Sequence, residues 1–144
     1  MRSKKRSGAN SPPSPPESRP VLFVDRSLGR RLIVEALRQA GANVVHHDDH
    51  FPPATPDEEW LAAVGRRGWI VLTKDIRIRY KPNEKEAILG AGAVAVILVS
   101  GNMKGEEMAE LFVRSLGRIE RIAGSAKPPA IFTLGRDGRL KLKS

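Results

Sequence analysis

Four short stretches of this chain are apolar almost without interruption: Val21 to Val24, Trp69 to Thr73, Val94 to Val99 and Ile131 to Leu134. A strand with one wet face alternates, so strands without alternation are buried on both faces. Between them lie stripes of helical spacing. Leu32, Ile33, Ala36, Leu37 and Ala40 recur at three and four and stop at Gly41. A second helix is expected from Pro56 to Arg67, closed by Gly68, and a short one over residues 84–90. Met108, Leu111, Phe112, Leu116, Ile119 and Ile122 mark a long amphipathic helix. Val44 and Val45 open one more strand. Strands joined by single helices imply parallel crossovers. The expectation is an α/β fold in three α/β/α layers, with a mainly parallel five-stranded sheet. Gly135 to Gly138 reads as a turn, behind which Arg139 to Lys143 is expected to form a C-terminal edge hairpin.

The 144 residues are enough for one domain, placed at 21–144. Residues 1–20 differ in kind. They hold five Lys or Arg against one Glu, five of the eleven prolines, and almost nothing to bury. They read as a disordered basic tail, because burial cannot offset the entropy of ordering them. The net charge of +9 favours polyanionic partners, nucleic acid first. The absence of cysteine excludes disulfides, thiolate metal sites and cysteine nucleophiles. No apolar run approaches the ~18–20 residues of a membrane helix. The basic start is not followed by an apolar segment of the secretory kind. A cytoplasmic protein without membrane partners is expected.

In open parallel sheets, sites form outside the carboxyl ends of the strands. Carboxylates gather there. Asp25 follows the first strand directly, Asp48 and Asp49 end the second, and Asp75 follows the third in Thr73-Lys74-Asp75. Asp57, Glu58 and Glu59 open the helix whose N-terminus lies at the same edge. An apolar strand that stops on a carboxylate needs a partner for that charge. A hard divalent cation is one, since magnesium is commonly held by one or two carboxylates plus water and phosphate. Among the helix acids, Thr55-Pro56-Asp57-Glu58 has the pattern of a capping box, with Thr55 as the cap and Glu58 closing it. Asp57 shares the stripe of Trp60 and Leu61 and is expected to face the sheet. Asp57 is therefore chosen, with Glu58 in reserve.

The order strand–Asp25, helix, strand, Asp57-Glu58-Glu59, helix, strand–Thr73-Lys74-Asp75 resembles the compact PIN-like nucleases of the VapC-toxin-like and Mut7-C-like group. The resemblance covers about residues 21–100, and the last helix and strand are compatible with it. It implies a PIN-like fold and Mg²⁺- or Mn²⁺-dependent cleavage of RNA. It also implies a toxin with a cognate antitoxin protein, and leaves a homodimer open. Asp25, Asp57 and Asp75 match the catalytic and metal-binding acids. Larger PIN nucleases carry a further acid between the positions matched by Asp25 and Asp57, and the sequence offers no clear counterpart.

Basic residues crowd the same edge. Arg26, Lys74, Arg77 and Arg79 are the expected substrate contacts, and Ile76 to Tyr80, if extended, presents two guanidiniums on one side and a ring for stacking on a base. The run His46-His47-Asp48-Asp49-His50 has the composition of a transition-metal site. Read as a strand, it sends His46, Asp48 and His50 one way and His47 and Asp49 the other, which argues for a polar strand end and against zinc. A phosphoacceptor receiver domain would want a second acid beside Asp25, where Arg26 stands, and a lysine on the fifth strand, which has none. A noncatalytic nucleic-acid-binding module with a decayed PIN-like site is the alternative to a nuclease, and metal binding discriminates the two.

Overall fold

The computed structural model describes residues 19–74, 82–99 and 102–143. Six strands form one sheet: β1 (Val21–Val24), β2 (Asn43–His46), β3 (Ile70–Thr73), β4 (Val94–Leu98), β5 (Ala130–Leu134) and β6 (Leu140–Leu142). Their order is β2-β1-β3-β4-β5-β6. The first five are parallel, and β6 returns antiparallel to β5 with Leu134 opposite Leu140 and Phe132 opposite Leu142. The expected edge hairpin is thus a sixth strand of the same sheet.

Helices cover both faces: α1 (Leu32–Gln39), α2 (Asp57–Arg67), α3 (Pro82–Gly90) and α4 (Gly105–Arg118), which continues as a wider π-type turn, Ile119–Ala123. Alternate residues of each strand point to opposite faces. Leu22, Val24, Ile70, Leu72, Val94, Val96 and Leu98 pack with α1 and α4 in an aliphatic cluster around Phe112. Phe23, Val71, Ala95, Ile97 and Ile131 pack with Trp60, Leu61 and Val64 of α2 and Ile88 of α3. All five residues of β4 are buried, as a strand covered on both sides requires.

Helix α2 ends at Gly68, whose φ of +71° is the left-handed cap conformation that glycine adopts most readily. Gly65 serves a different purpose. A Cβ there would sit 2.1 Å from the carbonyl oxygen of Ala91, so only glycine lets α2 approach the end of α3 this closely.

The folded unit includes two residues of the segment read as a tail. Arg19 clamps Glu120 with two hydrogen bonds of 2.8 and 2.9 Å, and donates to the carbonyl of Gly41. Residues 1–18 lie outside the described residues. Among those described, no helix is long and apolar enough to cross a membrane.

Candidate active site

The site is built where β1 and β3 end side by side. Asp25 is the next residue after β1, and its backbone N–H still bonds to the carbonyl of Leu72 at 2.9 Å. By alternation it shares the face of Phe23, beneath α2. The side chain is nearly buried and held by hydroxyls. Ser27 Oγ donates to Asp25 Oδ2 at 2.7 Å and Thr73 Oγ1 donates to the same oxygen at 2.8 Å. The Lys74 backbone N–H in turn donates to Ser27 Oγ at 3.1 Å, tying the two strand ends together. Among the described residues Asp25 Oδ1 accepts no hydrogen bond. Both hydroxyls therefore fix the same carboxylate oxygen.

Asp57 opens α2, and its Oδ1 accepts from Trp60 Nε1 at 3.0 Å. The indole is buried and stacked on Phe23 with ring centroids 5.3 Å apart, so the carboxylate is referenced to the core through that ring. Asp25 and Asp57 line one cavity of about 690 Å³, together with Arg26, Ser27, Arg30, His47, Asp48, Thr55 and Trp60.

The expected capping box does not form. Thr55 Oγ1 donates to the carbonyl of Pro52 at 2.7 Å, closing the preceding turn, and Pro56 takes the cap position with no side-chain bond. Glu58 is exposed and does not line the cavity, so the reserve ligand stands apart from Asp25 and Asp57. Arg26 does line it. Lys74 opens into an adjoining hollow of about 550 Å³ shared with Arg26, Ser27, Arg30 and Arg31. Asp75, Arg77 and Arg79 lie outside the described residues.

The histidine run departs from the expected strand geometry. The strand stops at His46, and His47–His50 is a single helical turn. His46 Nδ1 accepts the backbone N–H of Asp48 and its Nε2 donates to the carbonyl of Gly29 at 2.7 Å, so this ring is spent on structure. The turn brings His47 and Asp48 to the cavity together. His47 is 1 % exposed, packs edge-on against Trp60 and Phe23, and donates from Nδ1 to Asp48 Oδ1 at 2.9 Å. Asp48 also meets Arg26 Nε at 3.1 Å through Oδ1 and Arg30 Nε at 3.5 Å through Oδ2. Burial alone raises the pKa of this carboxyl. The His47 hydrogen bond and the Arg26 guanidinium outweigh that, and hold it below the usual carboxylate range.

Sequence reasoning therefore missed Ser27 and His47, and placed Asp48 and Thr73 at this edge without giving either a role in the site. Two signals existed. Thr73 is the single polar residue closing an apolar strand, and Ser27 lies two residues past an aspartate, where a side chain can bridge back.

A magnesium or manganese ion fits this donor set. Asp25 and Asp57 are hard oxygen donors on two rigid elements, each with one oxygen already fixed. Among the described residues, no three His, Asp or Glu side chains are grouped to hold a metal by themselves.

Residues 20–100 match the family described as PIN like domain. The chain belongs to that family. It is also similar to the protein named "Putative ribonuclease VapC45" of Mycobacterium tuberculosis, with 31% identity over 117 residues, 78% of this chain and 84% of that protein. The PIN-like match ends just past β4. Within it lie β1 to β4, α1 to α3, and every residue lining the Asp25 cavity.

Proposed function

We propose that this PIN-like chain is a metal-dependent endoribonuclease, acting as the toxin of a toxin–antitoxin pair. The likeness to a protein named "Putative ribonuclease VapC45" supports RNA as the substrate, and an antitoxin protein is the partner proposed with it. The observation that carries the reading is the convergence of Asp25 and Asp57, from a strand end and a helix start, on one polar cavity. Asp25 and Asp57 would hold Mg²⁺ or Mn²⁺, and Asp75 is the third acid proposed from the sequence. When bound, such an ion supplies a hydroxide-like water at neutral pH and stabilises charge developing on phosphate oxygens.

The protein's own groups do the rest. Ser27 and Thr73 hold the Asp25 carboxylate in one rotamer, so no ordering is needed when the site fills. Trp60 does the same for Asp57. Arg26 and Lys74, with Arg77 and Arg79 as further proposed contacts, offset the negative charge of the backbone phosphates. No side-chain nucleophile is needed, in keeping with a chain without cysteine.

The test is Asp25→Asn. It keeps the hydroxyl contacts in outline and removes the charge. RNA cleavage in Mg²⁺ should fall by about a thousandfold or more, the scale of losing a central electrostatic contact. Mn²⁺ affinity should fall with it, and the unfolding midpoint should change little. Undiminished cleavage would refute the assignment. A wild-type chain that binds RNA but no Mn²⁺ would instead be a nucleic-acid-binding module with a decayed site.

A further inference from the structure

The cavity holds a third carboxylate, Asp48, and its surroundings are unlike those of Asp25 and Asp57. Asp48 faces three donors, and two of them are full positive charges: His47 Nδ1 at 2.9 Å, Arg26 Nε at 3.1 Å and Arg30 Nε at 3.5 Å. Both of its oxygens are engaged. Its side chain is 10 % exposed, whereas those of Arg26 and Arg30 are 50 % and 77 % exposed. The buried carboxylate is the fixed member and the two arginines are the parts that reach out.

Two guanidiniums placed side by side repel each other and carry large rotamer entropy. Here they are gathered by one anion, and that anion is itself fixed by a buried imidazole packed on Phe23, Phe51 and Trp60. Each arginine meets Asp48 through Nε. Arg26 also uses Nη1 on the carbonyl of Pro53 at 3.2 Å, while among the described residues neither terminal nitrogen of Arg30 meets an acceptor. Both arginines line the cavity that contains Asp25 and Asp57. A carboxylate flanked by two cations is a poor ligand for a third, because the guanidiniums repel the incoming ion.

We propose that Asp48 is a positioning residue and not a metal ligand: supported by His47, it holds Arg26 and Arg30 together as a clamp for an RNA backbone phosphate beside the Asp25–Asp57 centre. The inference rests on the nuclease reading for its substrate, and its test separates the two. Simple charge balance and positioning make opposite forecasts for Asp48→Asn. Deleting a negative charge raises the net positive charge and, by charge alone, tightens RNA binding. Releasing two pre-set arginines weakens it.

The experiment titrates a mixed-sequence single-stranded RNA oligonucleotide in EDTA, and Mn²⁺ separately, into the full chain and its variants. Asp48→Asn should bind RNA several-fold more weakly, with Mn²⁺ affinity unchanged. Arg26→Gln with Arg30→Gln should weaken RNA by about tenfold and flatten the slope of log affinity against log salt by roughly one unit. Combined with Asp48→Asn, the arginine changes should cost little more than they do alone, because the clamp is already undone. Tighter or unchanged RNA binding in Asp48→Asn overturns the proposal. So does loss of Mn²⁺ binding, which would make Asp48 a ligand. Should Asp48→Asn fail to fold, the exposed arginine pair decides: unchanged RNA affinity on its removal refutes the clamp. A wild-type chain that binds no Mn²⁺ sinks the nuclease reading, while the metal-free RNA titration still tests the clamp.

Discussion

The two faces of the sheet are made of different materials. On the side of α1 and α4 the core is aliphatic, with Phe112 and Phe132 separated among leucines, valines and isoleucines. On the side of α2 and α3, Phe23 sits at the centre of a ring cluster. Trp60 and Trp69 stack on it at 5.3 and 6.2 Å, and Phe51 and His47 meet it edge-on at 6.0 and 6.1 Å. The first face is sealed by interchangeable apolar volume. The second is fixed by rings whose mutual geometry is specific, and two of those rings carry polar atoms that hold Asp57 and Asp48. One face keeps the sheet folded; the other also aims the site.

Equal damage to the two faces should then have unequal consequences. Phe23→Ala and Phe112→Ala each remove a fully buried ring, and each should destabilise the protein by about 3–5 kcal/mol in denaturant unfolding. At low temperature, where both remain folded, only Phe23→Ala should weaken Mn²⁺ binding, because Trp60, which holds Asp57, loses its support. An equal loss from Phe112→Ala would erase the distinction between the faces.

A smaller effect isolates the link from ring to acid. Trp60→Phe keeps a ring against Phe23 and deletes the N–H held by Asp57. Stability should fall by about 0.5–1.5 kcal/mol, the net worth of a typical hydrogen bond. Mn²⁺ affinity should drop by a few-fold as Asp57 gains rotamers. Unchanged affinity would show that packing at the start of α2 alone orients the carboxylate.

The smallest effect is seen through pH. The folded-state pKa of Asp48 is lowered, so its ionised form stabilises the fold above the ordinary carboxylate value of 3.8. That contribution is lost as pH falls through the lowered folded value. Asp48→Asn should therefore melt below wild type at neutral pH, and the gap should close in acid. A gap constant with pH would mean that Asp48 acts through shape and not charge.

The fold was largely legible because both periodicities are clean. The continuous strands and the spaced helical stripes each admit one reading, and even the edge hairpin was visible at Asp137-Gly138. That Asp25 and Asp57 share one cavity was legible by position, since topology alone sends strand ends and helix starts to one edge. The misreadings lie between β2 and α2, where local patterns compete. The run His46 to His50 reads as a polar strand end, but its composition does not say at which residue the strand stops. The stop comes from the His46 ring capping the Asp48 N–H, an unusual capping residue that period-two reasoning cannot see. The capping box at Thr55 failed for a related reason: the Pro52 turn claimed the hydroxyl first. Asp48 was passed over because alternation sent it away from its neighbour, whereas a helical turn lets His47 and Asp48 share one cavity.

Both tryptophans of the chain, Trp60 and Trp69, belong to the ring cluster, and none lies on the aliphatic face. Trp60 is in contact with Asp57, and the guanidinium of Arg67 lies 4.9 Å from the Trp69 ring. The intrinsic ultraviolet emission of this protein is therefore a local optical report on one side of the sheet. Paramagnetic Mn²⁺ bound at the acids should quench Trp60 before Trp69. During unfolding, emission follows the α2–α3 side, while circular dichroism follows every helix. Coincident transitions by the two signals would show that the site-bearing layer melts with the rest of the domain as one cooperative unit.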